Sequence, residues 1–451
     1  MDAPQKSSAR YVLTLLFLVN TLNFFDRAVP SVAIEALRHE FALNDSALAL
    51  TAVAFTVLHA VIGIPMGHFA DRLKRTRVIA VGVFAWSLFT GLSGAAWNFA
   101  SFAVARAGVG IGEASCAPAA NSMIADLVRP ERLGRATGLF MLGYPVGTLS
   151  CLLSVGAIAA LWGWRMSFLI ASLPGVVLAI LIFRCAEPKR GTFDTVTTVH
   201  RRLDATTAWS ILRISTVLWL CLFASFVTAA SYSMTSFLPA LLMRCHGLSV
   251  IHASQLSAVI LGATGLFGLT LGGWLADRVQ RVWNRGRLVL GCISMFIAAP
   301  LLWLGMSTNG GSIMYLAILL SSGWFLYYFY FVTVYPTLME VVPPDQRGIA
   351  IATLYFFANV LGGGIGSYAT GALSDHFAIQ AMTASGATTM ADAFRATGLN
   401  SAMQAIVPGA IGFAGAALIG AIWTFKQDRM RGNEEAPLLH RETEHAASLP
   451  R

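Results

Sequence analysis

The sequence predicts an all-α polytopic membrane protein, with twelve transmembrane helices arranged as two pseudo-symmetric six-helix bundles. Three observations carry that expectation. Hydrophobic residues make up 56% of the 451 and charged ones only 12%, with a mean hydropathy of +0.67, far from the balance of a soluble domain. Apolar runs of about 20 residues, the length a helix needs to cross about 30 Å of hydrocarbon, recur almost end to end. One short motif also occurs twice, six runs apart.

The runs fall at 11–34, 47–70, 78–96, 99–125, 136–160, 166–183, 214–242, 254–276, 287–306, 312–339, 348–374 and 401–424. They divide the chain into a first bundle at 1–183, a polar and basic linker at 184–213, a second bundle at 214–425, and a charged tail at 426–451. The tail cannot bury a core and is expected to be disordered. The segment after Arg10 resembles a signal peptide, but its run contains Asp26 and Arg27 and lacks a small-residue cleavage site, so it reads as a retained first helix.

Orientation follows from the cations. Lys6, Arg10, Arg72, Lys74, Arg75, Arg77, Arg129, Arg132, Arg135, the linker, Arg278, Arg281, Arg285, Arg287, Arg347 and the tail share one side, against Arg38, Arg165, Arg244 and Arg395 on the other. The positive-inside rule then makes both termini cytoplasmic. The net charge of +9 is topological on this reading, and no nucleic-acid surface is expected. The six scattered cysteines contain no C-x-x-C pair, so neither a metal site nor a disulfide framework is expected, and no cofactor is implied.

The repeated motif is Gly-x-x-x-Asp-Arg: "GHFADRLKRTR" from Gly67, after the second run, and "GWLADRVQR" from Gly273, after the eighth. Pro130, Gly134 and Ala136 likewise match Pro344, Gly348 and Ala350. A duplicated six-helix unit leaves such a trace. Gly67 and Gly273 would permit close helix approach, while Asp71 and Asp277 would pair with an Arg or cap a helix; with Arg72 and Arg278 they form a candidate conformational latch. A plain solvated turn is the alternative for each copy alone.

These paired loops resemble the hallmark loop of the major facilitator superfamily of secondary transporters, over residues 11 to 425, and the resemblance implies that fold. Within the superfamily, "NFFDR" with Asp26 and Arg27, "GVGIGEAS" with Arg106 upstream and Glu113 inside, "IADLVRPERLGRATGLF", and "GYPVG" from Gly143 are similar to the spinster-like transporters, whose eukaryotic members export lysophospholipids and sphingosine phosphates. Cys116 stands where that pattern has an aromatic residue.

Four charges within the apolar runs need a partner or a cavity, since an ionised group at the bilayer centre costs several kcal/mol. Arg106 and Glu113 are seven residues apart and so share a helix face, with Gly108, Gly110 and Gly112 thinning the helix between them. Asp26 and Glu113 are the candidate proton carriers; Arg27 and Arg106 are candidate anion ligands, because a guanidinium offers planar bidentate donors. A static salt-bridge network is the competing explanation. Asn23 and Asn121 extend the candidate substrate site, and Tyr327 and Tyr328 of "GWFLYYFYFVTVYPT" are the candidate aromatic lining. His59 and His68 are possible relays, and Pro336 and the "NVLGGGIG" glycines possible hinges.

None of the nine histidines starts an H-x-x-x-x-D pattern, which argues against a lipid acyltransferase, and no enzyme activity is expected. The expectation is a proton-coupled carrier of an amphiphilic, lysolipid-like anion, monomeric, in a bacterial inner membrane. The alternatives are a carrier of a small organic acid and a drug exporter.

Overall fold

The structure is a computed structural model describing residues 8–192, 205–308, 312–343 and 346–447, and every regular element among them is helical. The first half contains α1 (Ala9–Glu40), α2 (Asp45–Arg72), α3 (Arg75–Gly94), α4 (Phe99–Glu113), α5 (Cys116–Leu127), α6 (Pro130–Met141) and α7 (Gly143–Phe183). The short α8 (Ala205–Leu212) lies within the expected linker. The second half contains α9 (Ser215–His246), α10 (Val250–Ser257), α11 (Thr264–Val282), α12 (Gly286–Met306), α13 (Ile313–Tyr327), α14 (Phe331–Val341), α15 (Arg347–Phe356), α16 (Gly366–Ala384) and α17 (Asp392–Ala447).

Ten helical stretches among the described residues are long and apolar enough to cross a membrane. One of them, Pro130–Phe183, holds two crossings, because Gly163 takes φ +82° and turns the chain inside α7, a conformation that glycine adopts without strain. The fourth crossing is built from α4 and α5, each too short alone and separated only by Ala114 and Ser115. The twelve expected spans are thus present.

Three crossings depart from regular α-helix. Ala258–Ala263 and Phe357–Ile365 are π-helical, the latter covering the glycine run, and Tyr328–Tyr330 is a 3₁₀ turn. The backbone of the tail continues α17 as helix to Ala447.

Buried apolar side chains form two clusters. One joins the second half from end to end with the part of the first half around Ala28–Leu37, Leu48, Phe102 and Trp164. The other, around Val12–Leu22, Ile79–Trp86 and Cys116–Ile124, draws only on the first half. The halves therefore pack together where α1 ends and part where α1 begins. The latter end carries the cation-rich loops and is called the basic end below.

Candidate functional site

Helix α4 can carry its charges into the bundle because its glycines let neighbours approach. A Cβ on Gly110 would lie 2.7 Å from the Phe55 carbonyl oxygen, and one on Gly112 would lie 2.7 Å from the Trp86 nitrogen. Close packing against α2 and α3 is therefore what this stretch does, as its sequence leads one to expect.

On that frame Arg27 donates from Nε to Glu113 Oε2 at 2.7 Å. The Glu113 side chain is fully buried, and that of Arg27 is 20% exposed. The guanidinium carbon of Arg27 lies 5.1 Å from the ring centroids of both Phe24 and Phe55, and Nη2 lies 3.4 Å from His59 Nε2. Cation–π contact on two faces and an ion pair at Nε hold the group in one place.

Asp26 and Arg27 are adjacent in sequence but not partners, because successive helical residues point about 100° apart. Asp26 is fully buried, and Thr90 Oγ1 donates to its Oδ2 at 3.4 Å. Arg106 reaches the backbone carbonyl of Asp26 at 3.5 Å, not its carboxylate. Several buried polar atoms here have no protein partner, among them Asn23 Nδ2, Asp26 Oδ1, Arg106 Nη1 and Glu113 Oε1. Buried groups of this kind are costly unless something else satisfies them, so the cluster is poised for water, a proton or a ligand.

A cavity of about 240 Å³ opens between the halves. Arg27 and Arg106 line it from the first half; Tyr232, Tyr330, Phe331 and Tyr335 face them from the second. Asp26 and Glu113 stand behind the wall and not in it. Of the other expected ligands, Asn23 is buried among the charges, whereas Asn121 is exposed on α5 and does not line the cavity. Tyr327 and Tyr328 are fully buried, and Tyr328 donates its hydroxyl to the Leu261 carbonyl at 2.7 Å. The 3₁₀ turn brings Tyr330 and Phe331 to the cavity in their place. Asn359 lines it too.

The duplicated loops are only partly as expected. Asp277 accepts from Arg287 Nη2 at 2.9 Å, tying the end of α11 to the start of α12, and Arg278 packs over Trp274 at 5.2 Å. Arg72 is exposed, and the side chains of His68 and Asp71, like the whole of Pro344, lie outside the described residues. Among the described residues, a Cβ on Gly67 would meet nothing within 4 Å, and one on Gly273 would make an ordinary 3.7 Å contact with Val332.

Two charge clusters escape the sequence reading. At the basic end, Arg75 pairs with Asp126 and, at 2.8 Å, with Glu187. Burial alone would raise the Glu187 carboxyl, but the Thr76 backbone N–H, Arg75 and the Thr76 hydroxyl outweigh it and hold the group below the usual range. At the other end, Arg244 of α9 grips Asp45 of α2 with two bonds of 2.7 and 2.8 Å, and Glu35 of α1 at 2.7 Å. Asp375 of α16 accepts the N–H groups of Asp45 and Ser46 at 3.0 and 2.9 Å, and Arg38 reaches Asp392 at 3.2 Å. These bonds join the halves; among the described residues, the ion pairs at the basic end all lie within one half or between it and the linker. The only sequence signal was acids and bases at the ends of several apolar runs, with nothing to say which would meet.

Comparison with known proteins agrees with this architecture. An MFS-type efflux pump of Mycolicibacterium smegmatis is 31% identical over 366 residues, covering 80% of this chain and 83% of that protein. Protein spinster homolog 1 of Xenopus laevis is 26% identical, covering 81% of this chain and 72% of its own. The crystal structure of a bacterial homolog of the human lysosomal transporter Spinster, inward-facing and unoccupied, superposes with a TM-score of 0.82 at 28% identity, covering 94% of this chain and 99% of that one. The model of the Major Facilitator Superfamily matches residues 16–367. With two six-helix halves around a central cavity and that match across most of its length, the chain belongs to the Major Facilitator Superfamily, as a membrane transporter resembling the spinster proteins and not an enzyme.

Proposed function

We propose that the protein is a proton-coupled secondary transporter that moves an amphiphilic organic anion, a lysophospholipid or sphingolipid-like molecule, by alternating access. The observation that carries this reading is the Arg27–Glu113 pair, with the guanidinium at the cavity wall and its carboxylate buried behind it. A proton arriving at Glu113 removes the charge that holds Arg27. The freed guanidinium, with Arg106 beside it, then takes the anionic head of the substrate, and the aromatic wall of the second half takes the apolar tail. Asp26, buried with one oxygen unpartnered, is the second proton site, and Asn23, buried on the same helix, supplies a free amide donor to the substrate. Competition of proton and anion for one pair shifts the balance between states open to either side.

In this scheme Gly67, Asp71, Arg72, Gly273, Asp277 and Arg278 form the latch of one state, acting through pairs such as Asp277–Arg287. The basic end is the cytoplasmic side of a bacterial inner membrane, with both termini there and a monomer as the working unit. The cation distribution and the likeness to an inward-facing structure support that orientation. A second reading, a drug exporter, is favoured by the efflux-pump relative; a carrier of small organic acids fits the same two cations.

The test is reconstitution in liposomes and uptake of a lysophospholipid with and without an imposed pH gradient. Gradient-driven accumulation that disappears in Asp26→Asn, with downhill exchange retained, is the expected result. Accumulation intact in that variant removes Asp26 from the coupling. Absence of lysolipid uptake alongside export of a cationic dye selects the exporter.

A further inference from the structure

The duplication lets the basic ends of the two halves be compared position by position. In the first half, the groove beside the start of α3 is filled by the protein's own chain. Glu187, in the segment after α7, accepts from Arg75 Nε at 2.8 Å and from the Thr76 N–H at 3.0 Å, and the Gly191 N–H donates to Asp126 at 2.9 Å. An internal carboxylate thus lands on the cation that opens α3.

The counterpart in the second half lies between the α11–α12 turn and the end of the membrane-spanning part of α17. It is an open pocket whose wall includes Trp283, Arg285, Phe425, Lys426 and Arg429. The cation opening α12, Arg287, has Asp277 and, at 3.7 Å, Glu340; Lys426 and Arg429 stand in the pocket wall, while the carboxylate between them, Asp428, is turned to the start of α9 and accepts from the Thr216 N–H and hydroxyl. Arg429 has a 3.6 Å contact to Glu340, shared with Arg287. Among the described residues, no carboxylate comes within ion-pair distance of Arg285 or Lys426. Three cations thus line a pocket in which, among the described residues, only Arg429 has a carboxylate partner.

We propose that this pocket binds the phosphate of an anionic phospholipid from the adjoining leaflet. Arg and Lys at the membrane surface recognise such head groups, and a guanidinium matches the paired oxygens of a phosphodiester. The surroundings favour a lipid over a free phosphate. Val282 is 87% exposed, Trp283 54% and Trp423 76%, and Trp423 lies three residues from Lys426, on the same side of α17. These groups place the pocket at the bilayer edge, where a lipid can lay its tails along them while its phosphate meets the cations. Indole at this depth is a usual anchor at the bilayer interface.

Native mass spectrometry of the purified full-length protein, titrated with phosphatidylglycerol or phosphatidylcholine, tests the site. One phosphatidylglycerol is expected to be retained on the order of tenfold more tightly than phosphatidylcholine, the value expected from two or more interfacial cations. Arg285→Gln with Lys426→Gln should reduce that preference to parity while lysolipid uptake and the thermal midpoint in zwitterionic lipid stay unchanged. Lys426→Glu gives an independent arm, since it supplies the second half with the carboxylate that Glu187 supplies to the first and should abolish the preference by itself. Undiminished preference in both variants, or equal retention of the two lipids by the wild type, overturns the proposal. Displacement of the lipid by millimolar inorganic phosphate would reassign the pocket to a soluble anion and equally overturn it.

Discussion

The two halves share one frame and divide the chemistry unevenly. Every charged residue in the interior of the apolar runs, Asp26, Arg27, Arg106 and Glu113, belongs to the first and fourth helices of the first half. The runs of the second half contain no Asp, Glu or Lys, and their one Arg, Arg287, opens a run at the basic end; the polar groups they turn to the cavity are those of Tyr, Ser, Thr and Asn. Duplication preserved the scaffold and left each copy free to change its lining. Charge placed in one half alone means that a proton alters that half's hold on a ligand while the other half's grip stays the same.

Glu113→Gln is the strongest attack on that asymmetry. It leaves Arg27 without its anion in a place where the broken pair costs about 3–5 kcal/mol, so the variant should bind anionic substrate constitutively and lose gradient-driven accumulation by about a hundredfold or more. Exchange of labelled for unlabelled substrate, which needs no proton, should continue. Uptake that still responds fully to the gradient would show that the first half's pair is structural and that coupling resides elsewhere.

The spans are legible in the sequence because a 20-residue apolar run has few other uses, and the four charges because each is expensive where it lies. Their pairing is not legible. Asp26 and Arg27 invite assignment as a couple, yet the helix turns them to α3 and α4 respectively, and only packing decides that. The aromatic run after Gly323 fails for a related reason: it covers every face of its helix, and the turn at Tyr328–Tyr330 decides that Tyr330 meets the cavity and Tyr328 the Leu261 carbonyl. Arg244 and Glu35 meet across 209 residues, a distance no local pattern spans. Gly67 is the opposite case, where the sequence suggests a close contact and, among the described residues, the structure shows open space.

Where the halves meet, the asymmetry vanishes, because each contributes charge to the closed end. Arg244 is the cation on which two acids of the first half converge, and its side chain is 5% exposed. Arg244→Gln strips Glu35 and Asp45 of that partner and favours the state in which water reaches them. Labelling of a cysteine at Leu48, a residue lining the cavity beside this closure, by a membrane-impermeant maleimide added from that side should rise about tenfold, a shift of roughly 1.4 kcal/mol. Unchanged labelling would mean that apolar packing between Leu37, Leu48, Phe237 and their neighbours keeps the end shut without the ions.

The smallest effect belongs to the second half's own contribution. The rings of Tyr330 and Phe331 lie 4.1 Å apart between centroids, tilted by 36°, and Phe331 also reaches Tyr144 at 5.9 Å, so together they present a continuous apolar face to the cavity. If that face takes the tail and the first half takes the head, then Phe331→Ala should lower the preference for a long over a short acyl chain by about threefold, roughly the value of one buried methylene, with the pH dependence of uptake untouched. Glu113→Gln should do the reverse, altering the pH dependence and sparing the chain-length preference. The two measurements separate only if the halves act on different parts of the ligand; a variant of either half that moved both would mean that one site, spanning the cavity, reads head and tail together.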